Sequence, residues 1–225
     1  SIMNNSAGQT VSVWMQTFEV PATPISQGDL KADVCVVGAG IAGMTTAYLL
    51  AREGKSVIVL DDGPIGGGQT QRTTAHITNA IDDRYVNIER WHGANGAKLA
   101  AASHSAAIER IESIVRAEQI DCDFQRLDGY LFVATPEDAG LLQQEYQAAH
   151  RAGLSQVESV PRAPLEMVDT GPCLKFPGQA QFHPLKYLGG LANAFVKMKG
   201  RIFTPVHVDK VEAGPPAHVT TSQGA

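Results

Sequence analysis

A strand–turn–helix–strand unit between Asp33 and Asp61 constrains the fold of this chain more than any other feature. An apolar run, DVCVV, leads into the turn GAGIAG, which is followed by a helical pattern, a second apolar run, SVIVL, and Asp61. Short apolar runs on either side of a helix are typical of buried parallel strands. The unit therefore predicts an α/β fold with a Rossmann-like parallel sheet.

Each of the three glycines in the turn has a mechanical role. Gly38 permits the tight turn out of the first strand, Gly40 lets the backbone approach a pyrophosphate, and Gly43 lets the helix pack closely on the sheet. The positive end of the helix dipole then favours a phosphate at this turn. Asp61 follows after a spacing typical of the carboxylate that accepts from a ribose hydroxyl. The stretch predicts binding of an adenine dinucleotide, without saying which one.

A second glycine-rich stretch, DGPIGGGQTQRTTAH from Asp62 to His76, directly follows the second strand. Three consecutive glycines, several hydroxyls and one arginine offer backbone N–H groups with little obstruction, which suits a diphosphate or the edge of a flat ring. A flexible surface loop is the alternative interpretation. We favour a ligand-binding loop, because the stretch leaves the carboxyl end of a strand, where open α/β sheets bind ligands.

Composition argues against several other classes of protein. The net charge of −5, without a cluster of Lys or Arg, argues against nucleic acid or an anionic membrane as the main partner. The three cysteines are widely spaced and form no C-x-x-C pair, so neither a disulfide framework nor a metal site is predicted. The sequence shows no signal-peptide pattern and no apolar run of membrane-spanning length, which predicts a cytoplasmic protein.

Local patterns predict the remaining elements and the domain organisation. Residues 1–30 are predicted to be an irregular N-terminal extension that Trp14 and Phe18 anchor to the body. The predicted domains are a dinucleotide-binding domain from 31–120 and 182–225 and a small mixed α+β domain from 121–181. The predicted helices cover 82–91, 94–120, 136–151 with Thr135 as its N-cap, and 184–199. The predicted strands cover 124–134 with a turn at Asp128-Gly129, 156–160, 174–176 and 181–182 separated by Pro177-Gly178, and two strands around Gly214.

These features resemble the FAD-dependent oxidoreductases of the D-amino-acid oxidase and glycine oxidase superfamily. The resemblance runs from about Asp33 to the last residue, and its carriers are VVGAGIAGMTTAYLLAREGKSVIVLDDGPIGGGQTQRTTAH, the FHP before the Pro184 helix, and TPVHVDKVE. The segment GGGQTQRTTAHITNA is most similar to bacterial members that often carry a C-terminal Rieske domain. This sequence has no Cys-x-His pair, so the resemblance implies a 2Fe-2S cluster only in a C-terminal domain outside it.

The resemblance implies non-covalently bound FAD in a two-domain fold. The domain from 31–120 and 182–225 would bind FAD, with its C-terminal segment missing, and 121–181 would be part of a substrate or cap domain. The glycines of the first turn would hold the pyrophosphate, Asp61 the adenosine ribose, and the backbone of Val208 the adenine. The implied cofactor-binding residues are Val37, Gly38, Gly40, Ile41, Ala42, Gly43, Asp61, Asp62, Gly67, Gly68, Thr70, Arg72, Thr73, Thr74, Ala75 and Val208.

The second glycine-rich stretch departs from the family pattern. Thr73, Thr74 and Ala75 stand where many relatives have Asn, Gly and Gly, which alters the contacts expected with the flavin edge. Arg72 occupies the position at which members with covalent flavin carry His, and arginine cannot form that bond. No catalytic residue is identified. Arg72 and His76 are the only polar candidates that the sequence offers near the flavin ring.

The resemblance implies oxidation of an amine or amino acid, with hydride passing from the carbon beside nitrogen to flavin N5. The chain ends in a turn-like SQGA beside a strand, which predicts a fragment of a longer protein. Because the missing half would complete the flavin and substrate sites, the isolated chain is expected to bind FAD weakly or not at all and to be inactive. That half, or an electron-accepting domain, is the expected partner besides the small-molecule substrate. The alternatives are an NAD-dependent dehydrogenase and a non-catalytic nucleotide-binding subunit completed by a partner chain.

Overall fold

The computed structural model describes residues 11–18, 28–133 and 139–222. Helices and strands alternate along most of this length, as the predicted α/β class requires. In chain order they are α1 (Val13–Thr17), β1 (Val34–Val37), α2 (Ile41–Arg52), β2 (Val57–Leu60), a 3-10 turn (Thr70–Arg72), β3 (His76–Ile77), α3 (Tyr85–Ala117), β4 (Gln125–Phe132), α4 (Ala139–Arg151), β5 (Glu158–Val160), β6 (Cys173–Gln181), α5 (Pro184–Lys197), β7 (Arg201–Phe203), β8 (Val208–Glu212) and β9 (His218–Thr221).

The described residues form two compact units. The first takes the residues up to 75, residues 115–122 and those from 183 onward, and the second takes residues 76–114 and 123–182. The structure thus groups 76–114 differently from the predicted boundaries, because Ile88 and Ala97 of α3 share an apolar core with Phe176 of β6. Which unit serves a cofactor and which a substrate stays a prediction.

The first unit is built on a three-stranded parallel sheet in the order β1-β2-β7. The central strand, β2, is buried along its whole length, which explains why its sequence is an unbroken apolar run. Ile58 and Leu60 pack with Phe203 and Val206 in one apolar cluster. Helices α2 and α5 pack against each other in this unit, and α5 buries most of its length.

The C-terminal strands of the first unit differ from the prediction of two strands around Gly214. The segment Arg201–Phe203 joins the parallel sheet as β7, and the antiparallel pair β8–β9 then forms the hairpin around Gly214. Strand β7 runs parallel to β2, so the chain must cross over between them, and α5 forms the last part of that crossover. The predicted end of the chain in SQGA extends beyond the described residues at 223–225.

The second unit contains an antiparallel sheet centred on β6. Strand β4 pairs with most of β6, while β3 pairs with its C-terminal end and β5 with its N-terminal end. The turn predicted at Asp128-Gly129 and the break predicted at Pro177-Gly178 are both wrong, because β4 and β6 each continue through these residues. A register shift lies there instead, since Leu127 pairs with Gln179 but Gly129 pairs with Phe176. The extra residue on β6 accommodates the proline inside a strand.

The helices of the second unit follow the predicted pattern closely. Gly93 has non-helical dihedral angles (φ 71°, ψ 173°) inside α3, which is the break predicted between residues 91 and 94. Helix α4 is described from Ala139, so its predicted start at Thr135 and Pro136 lies outside the described residues. The buried carboxylate of Glu145 on α4 accepts hydrogen bonds from the N–H groups of Tyr85 (2.8 Å) and Val86 (3.0 Å). It thereby caps the N-terminus of α3 from another element.

Candidate functional site

The first glycine turn lies at the carboxyl end of β1. At two of its positions, Gly38 and Gly43, the structure favours or requires glycine. Gly38 has φ +107°, in the region that favours glycine, and its N–H donates to the carbonyl oxygen of Leu60 (2.7 Å). A Cβ on Gly43 would overlap the carbonyl oxygen of Gly38. Helix α2 begins at Ile41, and the N–H groups of its first turn point out of the helix end, where phosphate oxygens can accept from them.

Asp61 joins this turn to the end of β2. Its Oδ2 accepts a hydrogen bond from the N–H of Ala39 (2.5 Å), and its Oδ1 accepts one from the N–H of Gly63 (2.8 Å). Its backbone is fixed as well, because its N–H donates to Phe203 (3.3 Å) and its carbonyl accepts from Val206 (2.7 Å). A carboxylate has about four acceptor positions, so Asp61 keeps capacity for ribose hydroxyls beyond these two bonds.

The second glycine-rich stretch folds against the first turn. The N–H of Gly66 donates to the carbonyl of Ala39 (3.0 Å), and the N–H of Ile41 donates to Oγ1 of Thr70 (3.3 Å). Gly66 has φ +74°, and a Cβ there would come within 2.8 Å of Leu188 and 2.9 Å of Leu185 on α5. The loop therefore has a defined conformation between the first turn and α5, which disfavours the flexible surface loop considered as the alternative.

Gln71 is a residue of this loop that the sequence analysis missed. Its side chain is buried, its Nε2 donates to the carbonyl of Gly67, and its N–H donates to the carbonyl of Gly66 (3.1 Å). These two bonds of Gln71 hold the backbone of the triple-glycine segment in a turn. Nothing in the sequence marks Gln71, because a glutamine between a threonine and an arginine gives no sign of burial. Ala39, whose N–H and carbonyl contact Asp61 and Gly66, was also missed for want of a distinctive side chain.

The first unit contains every residue predicted to bind cofactor, from Val37 to Ala75 and Val208. Arg72 is half-buried at the end of the 3-10 turn, whereas Thr73 and Thr74 are exposed. Val208 packs its side chain beside the cluster that contains Phe203. Hydrogen bonds in this unit link Asp61, Ala39 and Gly66 into one set, and a separate bond joins Ile41 to Thr70.

His76 falls in the second unit. It is exposed at the start of β3, where it pairs with Gln181. The two catalytic candidates, Arg72 and His76, therefore fall in different units.

Two tyrosines of the first unit, Tyr187 on α5 and Tyr48 on α2, have raised pKa values. Burial raises the pKa of Tyr187 to about 12. Burial, followed by the hydrogen bond from its hydroxyl to Oε1 of Glu118 (2.5 Å), also raises the pKa of Tyr48. Neither phenol is a general base at neutral pH.

Metal and membrane features were sought over the described ranges 11–18, 28–133 and 139–222. No three His, Cys, Asp or Glu side chains within them come together as a group that could hold a metal ion. In the same ranges, no helix has the length and apolar character needed to cross a membrane.

Comparison with known families assigns the chain to a class. The sequence matches the family described as DAO, FAD dependent oxidoreductase, over residues 33–225. This chain belongs to that family of FAD-dependent oxidoreductases, as the resemblance predicted.

Two curated relatives match nearly the whole chain. One is YhfW of Bacillus subtilis, whose name describes a Rieske 2Fe-2S iron-sulfur protein; it is 33% identical over 213 residues, which cover 94% of this chain and 42% of YhfW. The other is gamma-glutamylputrescine oxidoreductase of Escherichia coli, which is 30% identical over 201 residues, or 87% of this chain and 46% of the relative. The chain thus spans about half the length of the curated relatives it matches.

Solved structures show the same fold. L-amino acid deaminase from Proteus vulgaris superposes with a TM-score of 0.69 at 21% identity, covering 91% of this chain and 47% of the deaminase. Glycine oxidase from Geobacillus kaustophilus superposes with a TM-score of 0.65 at 16% identity, covering 86% of this chain and 52% of the oxidase. At these identities the likeness concerns the fold.

Proposed function

We propose that the first unit binds the ADP portion of FAD at the carboxyl edge of its parallel sheet. The observation that carries the proposal is the hydrogen bond that the Asp61 carboxylate accepts from the N–H of Ala39, because it fixes the carboxylate proposed to bind the ribose against the glycine turn. Membership in an FAD-dependent family supports FAD over other adenine dinucleotides.

The residues present fit this part of the cofactor. A side chain at Gly43 would overlap the Gly38 carbonyl, so α2 approaches the turn closely and presents its N-terminus to a pyrophosphate. Gly40 carries no Cβ to obstruct the approach, and Asp61 keeps acceptor capacity for the ribose. Gly67, Gly68 and Thr70 would extend the site along the second loop, and Asp62 and Val208 toward the adenosine. Thr73, Thr74 and Ala75 would continue it toward the flavin.

When bound, FAD supplies the chemistry of the reaction by accepting two electrons. The residues of this chain bind and orient the cofactor. The guanidinium of Arg72 would add positive charge beside the phosphates or the ring. No residue of the chain is assigned as a general base.

The whole protein would oxidise a carbon–nitrogen bond of an amine or amino acid. Support comes from relatives whose names describe a gamma-glutamylputrescine oxidoreductase, an L-amino acid deaminase and a glycine oxidase. The second unit would be part of the substrate domain. The name of YhfW supports a Rieske-type 2Fe-2S domain as electron acceptor in the complete protein.

Titration of the chain with FAD, followed by flavin fluorescence, tests the proposal. We expect Asp61→Ala to weaken FAD binding about 10- to 100-fold, because hydrogen bonds to a charged group contribute about 1.5–3 kcal/mol. Asp61→Asn keeps one acceptor oxygen and should lose less. Asp83→Asn, an exposed carboxylate of the second unit, is the matched control and should leave the affinity unchanged. Equal affinity in Asp61→Ala and the unaltered chain would refute the proposal.

The alternative dehydrogenase is tested in the same titration. NADH also contains an ADP portion, so it should compete with FAD at the glycine turn but bind more weakly if the second loop extends the FAD site. Tighter binding of NADH than of FAD would favour the dehydrogenase. The non-catalytic alternative predicts instead that a partner chain, added to this one, raises FAD affinity without any substrate-dependent bleaching of the flavin.

A further inference from the structure

The segment from Ser12 to Phe18 has no reason to be helical by itself. It contains only the five-residue helix α1, and none of the side chains of α1 is buried. Ser12 caps the helix by accepting from the N–H of Met15 (3.3 Å). Isolated helices of this length are unstable in water, so contacts with the rest of the unit must hold it in place.

Two of those contacts are made to the second glycine-rich loop. Oγ of Ser12 donates to the carbonyl of Gln71 (2.5 Å), and Nε1 of Trp14 donates to the carbonyl of Thr73 (2.9 Å). The two carbonyls flank Arg72. Both donors come from side chains and both acceptors from the backbone, so the bonds fix the path of the loop.

The other end of the segment is attached to the start of α5. The buried His183 accepts from the N–H of Lys186 at Nδ1 (3.3 Å), so its proton lies on Nε2, which faces Oγ1 of Thr17 at 2.9 Å. Trp14 contacts the His183 ring edge-on, with centroids 5.0 Å apart. The ring of Phe18 occupies the space that a Cβ on Gly189 would fill.

The same loop is held from its other side by the first glycine turn. Thr70, which precedes Gln71, accepts from the N–H of Ile41 at the start of α2. The loop therefore lies between the N-terminal segment and the turn that would bind pyrophosphate. Freeing the carbonyls of Gln71 and Thr73 would loosen one of the two sides on which the loop is fixed.

We propose that residues 12–18 act as a clamp that orders the second glycine-rich loop and thereby sets how firmly the chain retains FAD. Ser12, Trp14 and Thr17 are positioning residues that act through the loop. The retention of FAD rests on the proposed function, whereas the ordering of the loop does not.

Limited trypsin digestion without FAD tests the ordering of the loop. The Arg72–Thr73 bond lies between the two clamped carbonyls, and its cleavage is identified by the masses of the fragments. We expect the double variant Ser12→Ala, Trp14→Phe to be cut there about tenfold faster, because two hydrogen bonds to the loop are lost. In this variant, Trp14→Phe keeps an aromatic ring facing His183. A variant with Ser12→Thr in place of Ser12→Ala keeps the hydroxyl and should restore protection. Gln16→Ala, an exposed change on the same helix, is the control and should be cut at the original rate.

A second measurement gives the dissociation constant of FAD by fluorescence titration. We expect the double variant to bind about tenfold more weakly, while its urea midpoint and far-UV circular dichroism stay those of the Gln16→Ala control. Unchanged cleavage at Arg72 would overturn the clamp. Faster cleavage with unchanged FAD affinity would overturn its role in retention. If neither FAD nor ADP gives a response with the unaltered chain at any concentration, the proposed function fails and retention fails with it, while the digestion still decides whether the clamp exists.

Discussion

The two units of this molecule are held in shape by different means. In the first, the backbone of the glycine turn and loop is fixed largely by contacts within the local βαβ arrangement, with Asp61 bonded to Ala39 and Gly66 bonded to the same residue. In the second, a buried side-chain amide joins residues that are far apart in the sequence. Oε1 of Gln179 accepts from the hydroxyl of Thr78 (2.6 Å) and the N–H of Asn79 (2.8 Å), about 100 residues away in the chain.

This difference determines which kind of substitution each unit tolerates. A backbone site depends on the absence of atoms, so it is sensitive to the addition of a methyl group. A buried amide network depends on every member having a partner, so it is sensitive to the removal of one. The following predictions test that contrast, beginning with the largest expected effect.

Gly43→Ala should have the largest effect among these substitutions. The new Cβ would overlap the backbone carbonyl of Gly38, which cannot rotate away, so α2 or the turn must shift. We expect a loss of about 3 kcal/mol in the free energy of unfolding, at the upper end for overpacking. We also expect a loss of ADP binding of tenfold or more. Urea unfolding and ADP titration measure the two effects.

Gly140→Ala is the matched control for that substitution. A Cβ at Gly140, in α4, meets no atom within 4 Å, so alanine should be neutral or stabilising there. If the two substitutions changed the free energy of unfolding equally, the contrast between the units would be wrong, because the first unit would then not depend on the absence of a side chain at Gly43.

Gln179→Ala should have the next largest effect. It leaves the Thr78 hydroxyl and the Asn79 N–H without their acceptor in a half-buried site, and we expect a cost of about 2 kcal/mol. Hydrogen exchange should accelerate in the peptides that contain β4 and β6, while ADP affinity changes less than about twofold. Gln181→Ala removes an exposed glutamine of the same strand and should be close to neutral. If Gln179→Ala instead weakened ADP binding as much as Gly43→Ala, ADP binding would not depend on the first unit alone.

Asp33→Asn should have the smallest effect, at the surface where β1 begins. A hydrogen bond from the Ser56 side chain, followed by one from the Ser56 N–H, lowers the pKa of Asp33 below its ordinary value of 3.8. A lowered folded-state pKa gives a stabilisation that is complete above the unfolded value and is lost as pH falls through the folded one. The urea midpoint of the unaltered chain should therefore fall more steeply below pH 4 than that of Asp33→Asn. Parallel curves would show that this carboxylate does not stabilise the sheet.

The same contrast explains how much could be predicted from the sequence. The parallel strands, the break at Gly93 and the glycine turn were predictable, because each follows from local apolar runs or from glycine at a fixed spacing. The continuity of β6 through Pro177 was not, since it depends on a register shift against β4. Trp14 was predicted to anchor the N-terminal extension to the body, but its partners were not. Gln71, Gln179 and the bond of Ser12 were also beyond sequence reasoning, because glutamine and serine carry no signal of burial.

Hydrogen exchange of the chain with and without saturating ADP tests the central claim most directly. ADP contains the adenosine and pyrophosphate that the first turn and Asp61 would hold, so it probes this site without the flavin. The account predicts that ADP and FAD both slow exchange at residues 38–44 and 61–63, that FMN does not, and that Gly43→Ala abolishes the protection. Unchanged exchange at the glycine turn with saturating ADP would contradict it.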